Sequence, residues 1–233
     1  EKNLESYAFL NCDIIVPNSK LTYSIIKSSK KDKIISKLNN YISLTNISFS
    51  NNYEEDFCSR YYDIGFVCHS WKRTCKNFNL VIEIIKRLPN LKIIVVGECY
   101  ENTEFESNVD YYENLNHSIV LEKLKQTKVF VMCSFYDSNP NVVIEAVSCG
   151  CNVVLSENIG GYEYINSDCI VKDYNNLYEW LDTIKNNLKI KKQYYGPGKQ
   201  EIVLNLMNVF NFTTTEKDFI DKKSCVGVYK IPS

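Results

Sequence analysis

From Asp63 onward the chain alternates short apolar runs with segments of helical period. DIGFVCHS (63–70) predicts a strand, and FNLVIEIIKRL (78–88) predicts a helix that gathers Leu80, Val81, Ile84, Ile85 and Leu88 on one face. LKIIVVG (91–97) is the next strand, entered through the Pro89-Asn90 turn. After a polar stretch, IVLEKLKQT (119–127) predicts a helix and KVFVMCS (128–134) a strand. PNVVIEAVSC (140–149) predicts a short helix closed by Gly150, NVVLS (152–156) a strand, and NNLYEWLDTIKNNL (175–188) a further helix. Strands that are apolar throughout, rather than alternating, fit a parallel sheet covered on both faces. The expected fold class is therefore α/β, a Rossmann-like parallel sheet with helices on both faces.

Residues 1 to about 48 have the pattern of a separate piece: CDIIVP (12–17) and YISLTNISF (41–49) as strands, LTYSIIKSS (21–29) as a helix. The polar NNYEEDF (51–57) fits a linker. The expected organisation is the end of a preceding domain plus linker over 1–55, a Rossmann-like domain over 56–211 and a tail over 212–233. Glycine is scarce, 8 in 233 residues, so its placement is informative. Gly97 ends a strand, Gly150 ends a helix and Gly160-Gly161 follow a strand, and strand ends are where ligands bind in such sheets.

Composition narrows the function. A net charge of −1 argues against nucleic-acid binding through general phosphate attraction. No apolar run approaches the roughly 20 residues of a membrane span and no signal peptide opens the chain, so a soluble, cytoplasmic protein is expected. The first residue is Glu1 rather than Met, consistent with a piece of something longer. The 10 cysteines sit in apolar contexts such as VFVMCS and VSCGC and are expected as buried thiols. Without a CxxC pair, and with only His69 and His117 as histidines, no zinc site is expected.

Chemistry is concentrated in DSNPNVVIEAVSCG (137–150). Asn139 is the expected N-cap of the helix and Pro140 its first residue, which leaves the amides of Asn141, Val142 and Val143 free to face an anion. Asn141, Glu145 and Ser148 form a polar stripe at i, i+4 and i+7 on an otherwise apolar helix. A phosphate would repel a carboxylate just above it, so Glu145 is read as gripping sugar hydroxyls.

Asp137, seven residues and Glu145, continuing as NPNVVIEAVSCGCNVVLSENIGGYE, resemble the E-x7-E region of GT-B-fold glycosyltransferases of family four. The resemblance covers residues 60 to 190 and is strongest from Val129 to Glu163. It implies the C-terminal, donor-binding half of a retaining enzyme, with Glu145 on the nucleotide ribose and Asp137 near the transferred sugar. Asp137 stands where the family has Glu, one methylene shorter. Gly160-Gly161-Tyr162-Glu163 resembles the family's Gly-Gly-x-x-Glu loop and equally fits a tight turn before a helix.

A second cluster, WKRTCKN (71–77), sets Lys72, Arg73 and Lys76 just before a helix N-terminus, where a bound diphosphate relieves their conflict with the helix dipole. Similar glycosyltransferases bind the donor diphosphate with an Arg and a Lys in this loop. Lys76 matches that Lys, whereas the family spacing puts the Arg at Trp71, two positions before Arg73. The resemblance thus makes Asp137, Arg73 and Lys76 the candidate catalytic residues. Arg73, Lys76, Gly97, Asn141, Val142, Val143 and Glu145 are the candidate donor-binding residues, and no residue is assigned to a metal. No D-x-D motif occurs, in keeping with the metal-independent transfer that the resemblance implies. The implied partners are a UDP- or GDP-sugar and an unidentified acceptor, glycan, lipid or protein, with no separate cofactor. An N-terminal Rossmann-like domain is implied to precede this one. The alternatives are a non-catalytic nucleotide-sugar-binding module and a nucleotide-free interaction domain. An NAD-dependent oxidoreductase is disfavoured because no G-x-G-x-x-G follows a strand.

Overall fold

The structure is a computed structural model of the chain and describes residues 7, 9–29, 31–42, 57–194 and 199–210. Six strands, β1 (Tyr62–Ser70), β2 (Ile93–Glu98), β3 (Val109–Tyr112), β4 (Thr127–Met132), β5 (Asn152–Ser156) and β6 (Ile170–Val171), form one sheet in the order β3-β2-β1-β4-β5-β6. Every pairing is parallel: Ile64 of β1 lies opposite Ile93 and Val129, and Val131 of β4 opposite Val154. Successive strands run outward from β1 on one side and from β4 on the other. That reversal opens a crevice between β1 and β4 at the carboxyl edge, the place where open parallel sheets bind ligands.

The helices are α1 (Lys20–Ser28), α2 (Asp32–Ile35), α3 (Phe78–Arg87), α4 (His117–Lys125), α5 (Asn141–Ser148), α6 (Leu177–Asn187) and α7 (Lys199–Phe210). α3 and α6 cover one face, where Val81, Ile84, Ile85, Trp180, Leu181 and Ile184 pack on Ile64, Phe66, Val95 and Val131. α4 and α5 cover the other, with Leu124, Val143, Ala146 and Val147 against Phe130, Met132, Val153 and Leu155. β5, buried throughout, and β2 and β4, buried but for Glu98 and Lys128, bear out the parallel, two-faced sheet.

The amino edge is sealed by polar groups. Arg60 is buried and donates to the carbonyls of Thr127 and Cys149, while Lys191 donates to that of Gly150, so two cations meet the carboxyl end of α5. Burial lowers the Lys191 pKa to about 8, with the Arg60 charge adding to the shift. Below β5, the Asn152 amide donates to the carbonyls of Asn187 and Ile190 and its oxygen accepts from the Lys192 amide. The buried Tyr194 hydroxyl accepts from the Val153 amide at 2.8 Å, supplying an acceptor that the short β6 does not.

The strands β3 and β6 were not expected, nor was α7. β3 reads VDYY and lies at the sheet edge, where Asp110 is held by Tyr62 and Lys92, and β6 has only two residues. In the N-terminal piece, the strand expected over 12–17 is a single bridge from Ile15 to Leu38, and the helix runs from Lys20 to Ser28. The strand expected over 41–49 and the linker over 51–57 lie largely outside the described residues, and the tail over 212–233 wholly so. Among the described residues no helix is long and apolar enough to cross a membrane.

Candidate functional site

Two loops meet at the crevice. The first leaves β1 through Trp71, which is buried, stacks near Phe78 with ring centroids 5.6 Å apart and donates its indole N–H to the Val96 carbonyl. The family position for Arg is therefore filled by a core anchor, which leaves Arg73 as the arginine of this loop. Gly97 makes the approach of β1 to β2 possible: its φ is +126°, and a Cβ there would lie 2.2 Å from the Cys68 carbonyl oxygen.

The three cations of this loop have different surroundings. Lys72 reaches away to Glu98 at 2.6 Å, and that hydrogen bond holds the Glu98 pKa below the usual carboxylate range. Arg73 is exposed and has no ion-pair partner among the described residues. Lys76 is 12% exposed and pairs with Asp137 at 2.9 Å. Beneath the loop, burial pushes the Cys68 thiol up to about 12 against the smaller opposing pull of Lys76.

The second loop runs from β4 to α5. The Phe135 amide donates to the Cys75 carbonyl at 2.8 Å, tying the two loops together. Asp137 is held on several sides. Its amide donates to Asn158, its carbonyl accepts from Gly160 at 2.7 Å, and its second carboxylate oxygen accepts from the Asn139 amide at 3.4 Å. Gly160 sits so close to this loop that a Cβ would lie 1.7 Å from the Ser138 carbonyl oxygen. Glu163, one short turn on, accepts from the Lys20 amide at the start of α1, so this turn also carries the N-terminal piece.

The start of α5 differs from expectation by one residue. Pro140 occupies the cap, with extended dihedrals of −72° and 116°, and Asn139 makes no capping bond: its side-chain Oδ1 is buried without a partner among the described residues. Pro suits a cap because the backbone there is not yet helical and its missing N–H has no partner to lose. A second correction concerns the amides. Val143 donates to the Pro140 carbonyl at 3.2 Å, so of the three amides expected to be free, those of Asn141 and Val142 have no acceptor among the described backbone bonds.

Of the polar stripe on α5, Asn141 is exposed and Glu145 is 23% exposed, while the Ser148 hydroxyl is buried without a partner among the described residues. Glu145 meets His117, the first residue of α4, with Nε2 3.0 Å from Oε1. His117 was missed from the sequence: 28 residues separate it from Glu145, and nothing local distinguishes it from a polar helix start. The crevice thus brings together Lys76 and Asp137, with Arg73 on the same loop, the two unbonded amides at the helix start and Glu145 one turn along. Gly97 lies on β2, against Cys68 and Trp71 at the root of the first loop.

The profile of the family "Glycosyl transferases group 1" matches residues 66–194, more than half of the chain, and the protein belongs to that family. A curated relative is the N-acetylgalactosamine-N,N'-diacetylbacillosaminyl-diphospho-undecaprenol 4-alpha-N-acetylgalactosaminyltransferase of Campylobacter jejuni. It is 27% identical over 218 residues, covering 85% of this chain and 58% of that protein. The chain therefore spans a little over half the length of the curated relative it matches. Among solved structures, TarM of S. aureus in a complex containing UDP aligns with a TM-score of 0.64 at 16% identity, over 90% of this chain and 46% of that one. HepE of Anabaena, in complex with UDP and glucose, aligns at 0.58 and 13% identity, over 81% and 57%. These likenesses establish the fold.

Proposed function

We propose that this chain is the donor-binding part of a retaining glycosyltransferase that takes a sugar from a UDP- or GDP-sugar. The observation that carries the proposal is the set of groups at the β1–β4 crevice: a largely buried Lys76–Asp137 pair beside two unbonded amides at a helix start. The diphosphate lies across Arg73, Lys76 and the amides of Asn141 and Val142, and Glu145 accepts from the ribose. In the transfer, the bond from the anomeric carbon to the diphosphate oxygen breaks, a bond to an acceptor hydroxyl oxygen forms on the same face, and the hydroxyl's proton passes to the departing diphosphate oxygen. Charge developing on the departing diphosphate is met by Arg73, Lys76 and the amides, with no metal ion. Asp137 borders the transferred sugar while holding Lys76 in place.

UDP is the nucleotide to test first, since both structural relatives named above were solved with it. The name of the Campylobacter relative makes a lipid-linked saccharide the first acceptor to try. We place the activity in the cytoplasm and a second Rossmann-like, acceptor-side domain ahead of this one. A non-catalytic nucleotide-sugar-binding module is the second reading, favoured by the short Asp137 side chain already engaged by Lys76. Sugar transfer by the full-length protein separates the two.

Calorimetric titration with UDP, GDP and pyrophosphate tests the binding role. Glu145→Gln keeps the shape and loses the charge, so nucleotide affinity falls by roughly 1–3 kcal/mol while pyrophosphate affinity holds. Failure of the unmodified chain to bind either nucleotide overturns the proposal, and an unchanged nucleotide affinity in Glu145→Gln removes Glu145 from the site.

A further inference from the structure

We propose that His117 is a positioning residue for Glu145, holding that carboxylate in the orientation in which it receives a ribose. The inference rests on the nucleotide-binding role of Glu145 proposed above. α4 and α5 lie side by side on one face of the sheet, and each starts at the carboxyl edge. His117 opens α4 and Glu145 sits in the second turn of α5, so the imidazole reaches Glu145 from the neighbouring helix, while Lys76 engages Asp137 in the loop before α5.

An ionised carboxylate only accepts hydrogen bonds, so in the 3.0 Å contact Nε2 carries the proton. That bond uses one acceptor site on Oε1. It leaves Oε2 whole and a further site on Oε1, enough for two neighbouring hydroxyls. A glutamate rising alone from an apolar helix has three rotatable bonds to settle before it can meet a diol. One fixed oxygen removes most of that freedom in advance.

The exposures point the same way. The His117 side chain is 69% exposed and is no part of the hydrophobic clusters, so its packing does not call for an imidazole. The Glu145 side chain is 23% exposed, screened enough for a directed hydrogen bond to matter. A mere staple between α4 and α5 would act on folding alone, whereas a positioning contact acts on the ligand that Glu145 touches and on no other.

The test is titration of UDP and pyrophosphate into the chain and four variants: His117→Ala, His117→Gln, Glu145→Gln and the double variant His117→Ala/Glu145→Gln. GDP replaces UDP if it binds the unmodified chain more tightly. His117→Ala is expected to weaken the nucleotide roughly three- to ten-fold and to leave pyrophosphate unchanged. His117→Gln, which keeps an N–H donor at similar reach, should restore most of the loss. In the Glu145→Gln background, removing His117 should cost nothing further. A loss shared equally by nucleotide and pyrophosphate makes His117 a structural staple and overturns the proposal. A further loss in the double variant overturns it too, because His117 would then touch the nucleoside directly. If Glu145→Gln weakens the nucleotide and His117→Ala does not, the positioning role fails and the role of Glu145 stands. If Glu145→Gln has no effect, both fail together.

Discussion

Lys76 and Asp137 pair across the crevice, so in the proposed complex a diphosphate must win the ammonium from a carboxylate already in place. Lys76→Ala removes a charge-assisted bond worth roughly 1.5–3 kcal/mol, and affinity for UDP and for pyrophosphate should fall about ten-fold or more. Lys72→Ala is the matched control: both members of its pair with Glu98 are about 40% exposed, and affinity should change by less than about 0.5 kcal/mol. Calorimetry on the two variants decides; unchanged affinity in Lys76→Ala would take the basic loop out of the site. At this scale much of the constellation was legible. Lys76 and Glu145 stand out because charge at a helix start or on an apolar helix needs an explanation, and Asp137 through the E-x7-E resemblance. Their meeting partners do not, since the pairing of residue 76 with 137 and of 117 with 145 depends on strand order, which no local pattern carries.

Elements that bury both faces announce themselves, and β1, β2, β4, β5, α3 and α6 fall within a few residues of expectation. β3 and β6 were missed for the opposite reason: an edge strand of four residues with a paired aspartate, and one of two residues, have no periodicity to read. The turn after β5 fits two readings in the sequence. In the structure it braces the loop of Asp137, with Gly160 against Ser138. Gly160→Ala places a methyl 1.7 Å from a backbone oxygen, so the loop must shift. Urea unfolding should show a loss of roughly 1–3 kcal/mol, with weakened UDP binding as Asp137 is displaced. Gly161→Ala meets no atom within 4 Å and pays only for its φ of +89°, roughly 1–2 kcal/mol, and should keep its UDP affinity. Equal effects of both on UDP binding would refute the brace.

Across the whole molecule, thiols and phenols whose pKa values are raised oppose one amine whose value is lowered, and together they set the alkaline behaviour. Burial raises Cys68 and Cys151 to about 12 and Cys169 to about 11, from an ordinary value near 9. Folded thiols thus keep protons that the unfolded chain releases, a contribution present below about pH 9 and lost as pH rises toward 11. Lys191 acts in the other sense, since its lowered pKa makes folding easier as pH rises from about 8. Cys99, Cys133 and Cys149 are raised as well, as are the Tyr62, Tyr111 and Tyr194 hydroxyls, so against the one lowered amine urea midpoints should fall between pH 8.5 and 11, and a rise would contradict the assignment. The seal beneath β5 gives a separate test. Tyr194→Phe orphans the buried Val153 amide and should cost roughly 1–3 kcal/mol of stability with UDP affinity unchanged. The polar seal and the ligand crevice lie at opposite ends of the same strands. On the proposed function, a lineage can therefore alter its donor through substitutions at one end while the other, left untouched, keeps each intermediate sequence folded.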